Sequence, residues 1–222
     1  MIEVVLDTET TGLSASEGHR IVEIGCIELK DLIPTNNKFH CYLNPERKVS
    51  EEAFKVHGYT DDFLSKQKKF SQIAEDFLKF IKGKRLVIHN AEFDVSHLNN
   101  ELNILGKNKI NHEIIDTLQI AREKFPGSSI SLDALCKRYN IDNSRREKHN
   151  AVIDCELLSK VYINLLDQRE PTFELSVEKD FNSEVNYNNK VQYFNKIVKP
   201  SEEELKLHKD FLKREIKKNH FN

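Results

Sequence analysis

Val4, Val5 and Leu6 run into Asp7-Thr8-Glu9-Thr10-Thr11-Gly12. A short β-branched and aliphatic run closed by glycine predicts a buried strand ending in a turn. Residues 20–29 (R-I-V-E-I-G-C-I-E-L) alternate apolar and polar positions for most of their length, and residues 38–43 offer a third strand after a turn containing Pro34. Three strands so close in sequence suggest an antiparallel meander. Residues 50–66 predict short helical pieces broken around His57-Gly58, and residues 71–81 then place Ile73, Ala74, Phe77, Leu78 and Ile81 at the spacing of an amphipathic helix. A short apolar strand is expected at 85–88.

The alternation continues beyond it. His89-Asn90-Ala91-Glu92-Phe93-Asp94 leads into Leu98, Leu102 and Leu105, so Asp94 falls in the opening turns of a helix. A strand is expected at 112–115, and Asp116 opens a helix reaching about Glu123. After the turn Phe125-Pro126-Gly127-Ser128-Ser129, Ser131 is placed as the N-cap of the next helix. The polar loop 142–148 ends in His149, and Asn150 caps a helix carrying Ala151, Ile153, Leu157, Leu158, Val161 and Leu165. Strands alternating with helices after an initial meander predict an α/β domain with a mixed sheet, ending near Leu166. From there the pattern fails. Residues 168–199 hold five asparagines, few aliphatic residues and no sustained period, which predicts a flexible linker. Pro200 and Ser201 then open an acidic turn (Glu202, Glu203, Glu204) before Leu205, Phe211, Leu212 and Ile216, with Lys217 and Lys218 at the end, as suits a tail helix.

Composition changes this picture only at its margins. Lys and Arg number 34 against 36 Asp and Glu, a formal net charge of −2, so any contact with nucleic acid must be local or bridged by metal. The four cysteines, Cys26, Cys41, Cys136 and Cys155, have no C-x-x-C spacing and predict reduced thiols in a cytoplasmic protein. No signal-peptide pattern and no apolar run approaching the length of a membrane span is present, so neither export nor a membrane role is expected.

The candidate chemistry lies in carboxylates. On a strand, side chains two apart share a face, so Asp7 and Glu9 project together and repel each other unless a cation lies between them. Such a D-x-E pair is by itself more often a solvated edge. Here, however, Asp94 and Asp154 stand at helix openings, with His149 five residues before Asp154. Four carboxylates and one histidine are what phosphodiester hydrolysis with two divalent ions, Mg²⁺ or Mn²⁺, requires. A histidine, titrating near about 6.5, suits the role of base.

Three ordered motifs carry a resemblance. Asp7-Thr8-Glu9-Thr10-Thr11-Gly12, His89-Asn90-Ala91-Glu92-Phe93-Asp94 and His149-Asn150-Ala151-Val152-Ile153-Asp154 resemble those of the DEDDh superfamily of 3′→5′ exonucleases, and within it the proofreading epsilon subunits of bacterial DNA polymerase III. Val56-His57-Gly58, Phe125-Pro126-Gly127 and Leu132-Asp133-Ala134-Leu135-Cys136 extend the likeness over about residues 1–167. The resemblance implies a ribonuclease H-like fold, a five-stranded mixed sheet flanked by helices. It implies removal of nucleotides from single-stranded or mismatched DNA 3′ ends, with Asp7, Glu9, Asp94 and Asp154 as metal ligands and His149 as general base. Asp7, Glu9, Thr10, His57, Asn90 and Asp154 are the expected substrate contacts. The implied organisation is an exonuclease domain (1–167), a linker (168–199) and a tail (200–222) that tethers the nuclease to the catalytic alpha subunit of the polymerase. A small third core subunit and the sliding clamp are further implied partners. The clamp site would fall on Gln168-Arg169-Glu170-Pro171-Thr172-Phe173, with Pro171 where the family has an aliphatic residue.

Several residues carry two readings. Arg145, Arg146 and Lys148 either attract DNA phosphate or form a solvated run of charge. His57, His89 and Asn90 either orient substrate or serve turns and core, and Asp116, Asp133 and Asp142 are assigned to helix starts and loops. Cys155 is assigned to core packing. Two other functional classes stay open: an RNA-trimming or oligoribonucleotide-degrading nuclease of the same superfamily, favoured less by Thr10-Thr11-Gly12 and the tail, and a non-catalytic adaptor, which would be expected to lack one of the five residues.

Overall fold

The structure is a computed structural model that describes residues 1–166 and 200–215. The expected linker, the stretch 168–173 and the tail beyond Glu215, with Ile216, Lys217 and Lys218, lie outside the described residues. The first unit is built on β1 (Ile2–Thr10), β2 (Ile21–Lys30), β3 (Ile33–Tyr42), β4 (Arg85–Ile88) and β5 (Ile114–Asp116). They form one five-stranded sheet in the order β3-β2-β1-β4-β5. β1 to β3 are the expected antiparallel meander, whereas β4 and β5 run parallel to β1. The sheet is therefore mixed.

Around it lie α1 (Glu51–His57), α2 (Asp61–Ser65), α3 (Phe70–Ile81), α4 (Ala91–Ile104), α5 (Thr117–Lys124), α6 (Leu132–Arg138) and α7 (Ala151–Leu165). Strand alternation divides the apolar residues between two layers. Val4, Leu6, Ile24, Cys26, Leu86 and Ile88 pack with Phe70, Ile73, Phe77 and Ile81 of α3 and Leu98 and Leu102 of α4. Val5, Ile27 and Val87 point the other way, onto Ala121 of α5, Leu135 and Cys136 of α6, and Cys155, Leu158 and Val161 of α7. Each fully buried aliphatic side chain contributes roughly 1.5–3 kcal/mol of transfer free energy. Cys155 is buried in the second layer, as its assignment to the core requires, and all four thiols are free.

The turn expected at Pro34 lies elsewhere. The β2–β3 hairpin closes on Asp31 and Leu32, with φ of 51° and 65°, and Pro34 is already inside β3. Two residues of positive φ are what a tight hairpin between right-twisted strands needs. Proline is tolerated in β3 because that strand is at the border of the sheet. The helix starts follow their capping residues more closely: Ser131 accepts from Ala134 N–H, and Asn150 from Ile153 N–H.

The second unit is α8 (Glu202–Glu215). Ser201 and Glu204 close a reciprocal capping box at its start: Ser201 N–H donates to Glu204 Oε2 at 2.8 Å, and Glu204 N–H donates back to Ser201 Oγ at 3.3 Å. Leu205, Leu207 and Phe211 stand exposed on it. Among the described residues no helix is long and apolar enough to cross a membrane.

Candidate active site

β1 outruns its parallel neighbour. Its pairing with β4 ends at Val5↔Val87, while it continues along β2 to Thr10. Backbone groups of β1 beyond Val5 are thus left without a strand partner on one side, at the carboxyl end of two parallel strands, where α/β sheets open a crevice. Asp94 fills part of it from the first turn of α4, with one carboxylate oxygen accepting from Thr8 N–H at 2.9 Å and Thr8 Oγ1 at 2.7 Å. Asp7 and Glu9 leave β1 on the face that Val5 shares with α7. From α7 comes Asp154, and from the turn before it His149.

His149 Nδ1 lies 3.4 Å from Asp154 Oδ2 and 4.0 Å from Glu9 Oε1. One ligand atom from each of Glu9, His149 and Asp154 falls within 4.8 Å of the others, a spacing that suits a shared cation. The electrostatics say the same of the wider group. Burial, and then the charges of Asp94, Glu9, Asp154 and Glu23, raise the Asp7 carboxyl well above its ordinary range. Burial with the charges of Asp154, Glu23 and Asp94 pushes Glu9 up to about 9. Burial lifts Asp94 to about 7 against the Thr8 hydrogen bonds, which pull it down. Asp154 differs: burial pushes it up, but hydrogen bonds from His149 and Arg146 prevail and hold it below the usual carboxylate range.

That last partner corrects an expectation. Arg146 is no solvated loop charge, its side chain being only 7% exposed. Nε and Nη2 form a fork on the two oxygens of Asp154 at 2.5 and 2.8 Å, Nη2 lies 2.8 Å from His149 Nδ1, and Nη1 reaches Asp133 at 2.7 Å. Arg145 stays on the surface, 3.7 Å from Glu156, and Lys148 donates to the Lys55 carbonyl. Asp133 is therefore an ion-pair partner as well as a helix-start residue. Asp116 exceeds its expected role too: besides capping α5 through Leu118 N–H, it accepts from the backbone N–H groups of Asn90 and Ala91. One side chain thus serves two helix starts.

Glu9, Thr10 and His57 line a cavity of about 350 Å³ together with Gly12, Leu13, His19, Val56 and Phe93. At Gly12 a Cβ would stand 2.3 Å from the His19 ring, which would have to shift. His57 is buried, with Nε2 lacking a hydrogen-bond partner among the described residues. Asn90, with φ of 72°, borders an adjoining cleft with Leu13, Glu92 and Phe93. His89 bonds Thr117 instead and belongs to the α5 side. The structure thus brings Asp7, Glu9, Asp94, His149 and Asp154 to one cleft and leaves Asn90 at its margin. Arg146, one of three basic residues with two readings, joins the cleft as the partner of Asp154, and Glu23 joins it unforeseen. The available signal for Glu23 was a carboxylate two residues before Gly25, set among the apolar residues of the first half of its strand.

Known proteins are similar to this chain in sequence and fold. The exonuclease family of RNase T type matches residues 4–162. The DNA polymerase III subunit epsilon of Rickettsia typhi is 46% identical over 220 residues, covering 95% of each chain. That of Haemophilus influenzae is 39% identical over 235 residues, covering 98% of this chain and 91% of its own. Among solved structures, Exonuclease X in complex with 5′ overhanging duplex DNA is similar at 25% identity and a TM-score of 0.58, covering 74% of this chain and 90% of that one. The nuclease domain of 3′hExo, a DEDDh family member, shares the fold at 17% identity and a TM-score of 0.65, covering 75% and 92%. Because the family match takes in every strand and helix that forms the cleft, and the epsilon subunits match almost end to end, the chain belongs to the exonuclease family, on the branch of the DNA polymerase III epsilon subunits.

Proposed function

We propose that the cleft removes nucleotides from the 3′ end of single-stranded or mismatched DNA, with two divalent ions held by Asp7, Glu9, Asp94 and Asp154 and with His149 as general base. The observation that carries this reading is the convergence of Glu9 and Asp154 on His149, with the Asp7 and Asp94 carboxyls raised beside them. Exonucleases of this family depend on divalent metal, and the donor set fits: carboxylate oxygens suit Mg²⁺ and Mn²⁺. The Arg146 guanidinium, forked on Asp154, marks where positive charge is wanted. When bound, the ions supply positive charge to the attacking and leaving oxygens of an in-line displacement.

The remaining work belongs to side chains. Thr8 fixes one oxygen of Asp94, so that carboxylate is aimed before substrate arrives. His149, half exposed at the mouth of the cleft and held by its N–H on the Val56 carbonyl, can take a proton from water. Leu13, Val56 and Phe93 give the cavity apolar surface against which a base can pack, with Thr10 and the unpartnered His57 Nε2 as polar contacts and Asn90 at the adjoining cleft.

The same reading makes the chain the proofreading subunit of a replicative polymerase in the cytoplasm, with residues 200–222 as its attachment to the alpha subunit. The exposed Leu205, Leu207 and Phe211 of α8 support that attachment, since a short helix gains its order from burying such a face on a partner. The deciding assay is purified protein with Mg²⁺ or Mn²⁺ on end-labelled single-stranded DNA and RNA of one sequence, with EDTA as control. Shortening of DNA from its 3′ end, absent in EDTA, is expected. Attack from the 5′ end, or faster digestion of RNA, would overturn the reading.

A further inference from the structure

We propose that Glu23 is a positioning residue of the nuclease centre, anchoring the start of α7 to the sheet so that His149 and Asp154 meet Glu9; the inference rests on the reading of the cleft given above. Glu23 lies on β2 directly opposite Glu9 on β1, and Gly25 opposite Asp7. The face of β1 that carries the two acidic residues is thus continued on β2 by Glu23 and Gly25. Like charges placed opposite one another across a sheet destabilise it, so a second carboxylate beside Glu9 calls for a reason.

Its hydrogen bonds supply one. Glu23 is fully buried, and four donors converge on its two oxygens. Ala151 N–H lies at 3.0 Å, Asn150 Nδ2 at 2.8 Å, Tyr59 Oη at 2.7 Å and His40 Nε2 at 2.8 Å. Two of these come from the residues between His149 and the first turn of α7. A carboxylate accepting at a helix start satisfies an orphan N–H and holds the helix end in place.

Gly25 supplies the clearance. A Cβ there would stand 2.5 Å from the Ala151 carbonyl carbon and 2.8 Å from Val152 N, so the α7 backbone rests on the strand itself. Anchor and clearance together set how far His149 and Asp154 project over β1. An error near 1 Å in such a site costs about 10²-fold in rate, which gives the anchor a catalytic consequence without any contact to substrate.

The test compares Glu23→Gln and Glu23→Asp with wild type, at a temperature where circular dichroism shows all three folded. Single-stranded DNA digestion is followed with saturating Mn²⁺. Gln keeps the reach but replaces an acceptor oxygen with a donor, whereas Asp keeps the charge but shortens the reach by one methylene. Both are expected to lose roughly 10–100-fold in kcat, the usual cost of disturbing an outer-shell partner, with KM little changed. A folded variant with wild-type kcat, or loss confined to Gln, would overturn the anchoring role; the second result would assign Glu23 a through-space charge effect instead. If neither variant folds, Tyr59→Phe decides: removing one of the four donors, a hydrogen bond to a carboxylate, is expected to lower kcat about tenfold at constant KM, and full retention overturns the proposal. His149→Ala runs alongside, because wild-type turnover in that control would remove the underlying reading of the cleft and not merely the anchor.

Discussion

Asp154 is pulled in two directions, towards neutrality by burial and towards charge by Arg146 and His149, and charge wins. Its neighbours resolve the same conflict the other way, with Glu9 pushed up to about 9 and Asp94 to about 7. Raised carboxyls bind protons in the folded state that the unfolded chain has already lost. In chelator, stability is therefore expected to fall as pH rises from about 4 towards 9, the interval between the ordinary carboxyl range and the raised values. A divalent ion needs those protons gone, so its affinity is expected to rise over the upper part of that interval, with proton release on binding. Titration calorimetry with Mn²⁺ in buffers of different ionisation enthalpy measures the release directly; binding without it would contradict the raised values. His149→Ala is expected to cost about 10²–10⁴-fold in turnover while Mn²⁺ still binds, and a rate near wild type would exclude His149 as base. At this scale the five residues of the cleft were legible because they fall in three short, ordered motifs. Arg146 was not, since a polar loop has no period to say which of its charges turns inward. Glu23 was hidden for the opposite reason, its strand being buried on both faces.

Elements were read most surely where caps mark them. Ser131 and Asn150 begin α6 and α7 as their side chains dictate, and the apolar spacing of α3 is its buried stripe. The β2–β3 turn was misread because proline is a turn signal whose steric demands an outer strand also meets. Asp116 shows what spacing omits, for its role at the start of α4 comes from a residue some 25 positions away in the chain. Asp116→Ala should therefore cost more than a single cap, about 1–4 kcal/mol where one N-cap is worth roughly 0.5–2. A urea midpoint shifted by no more than a surface substitution would show that the second helix start does not depend on it.

For the whole molecule, mixed-sheet topology was legible from the order of strand and helix patterns, while the parallel pairing that leaves the end of β1 open was not. Truncation after Leu166 is expected to leave digestion of single-stranded DNA nearly unchanged but abolish co-elution with the polymerase alpha subunit. A truncated protein that still co-elutes would move the attachment to the first unit. Mispaired duplex ends should be digested faster than paired ones, since unpairing costs a few kcal/mol and least at a mismatch; equal rates would argue against proofreading. The border of the sheet carries one more consequence. Pro34 removes one amide donor near the start of the ten-residue β3, and β5 is only three residues long, so each outer strand offers an incoming chain fewer free backbone groups than it otherwise would. The first unit is in this way guarded against edge-to-edge aggregation, and Pro34→Val, by restoring an amide there, should raise light scattering in concentrated solution while leaving nuclease activity intact.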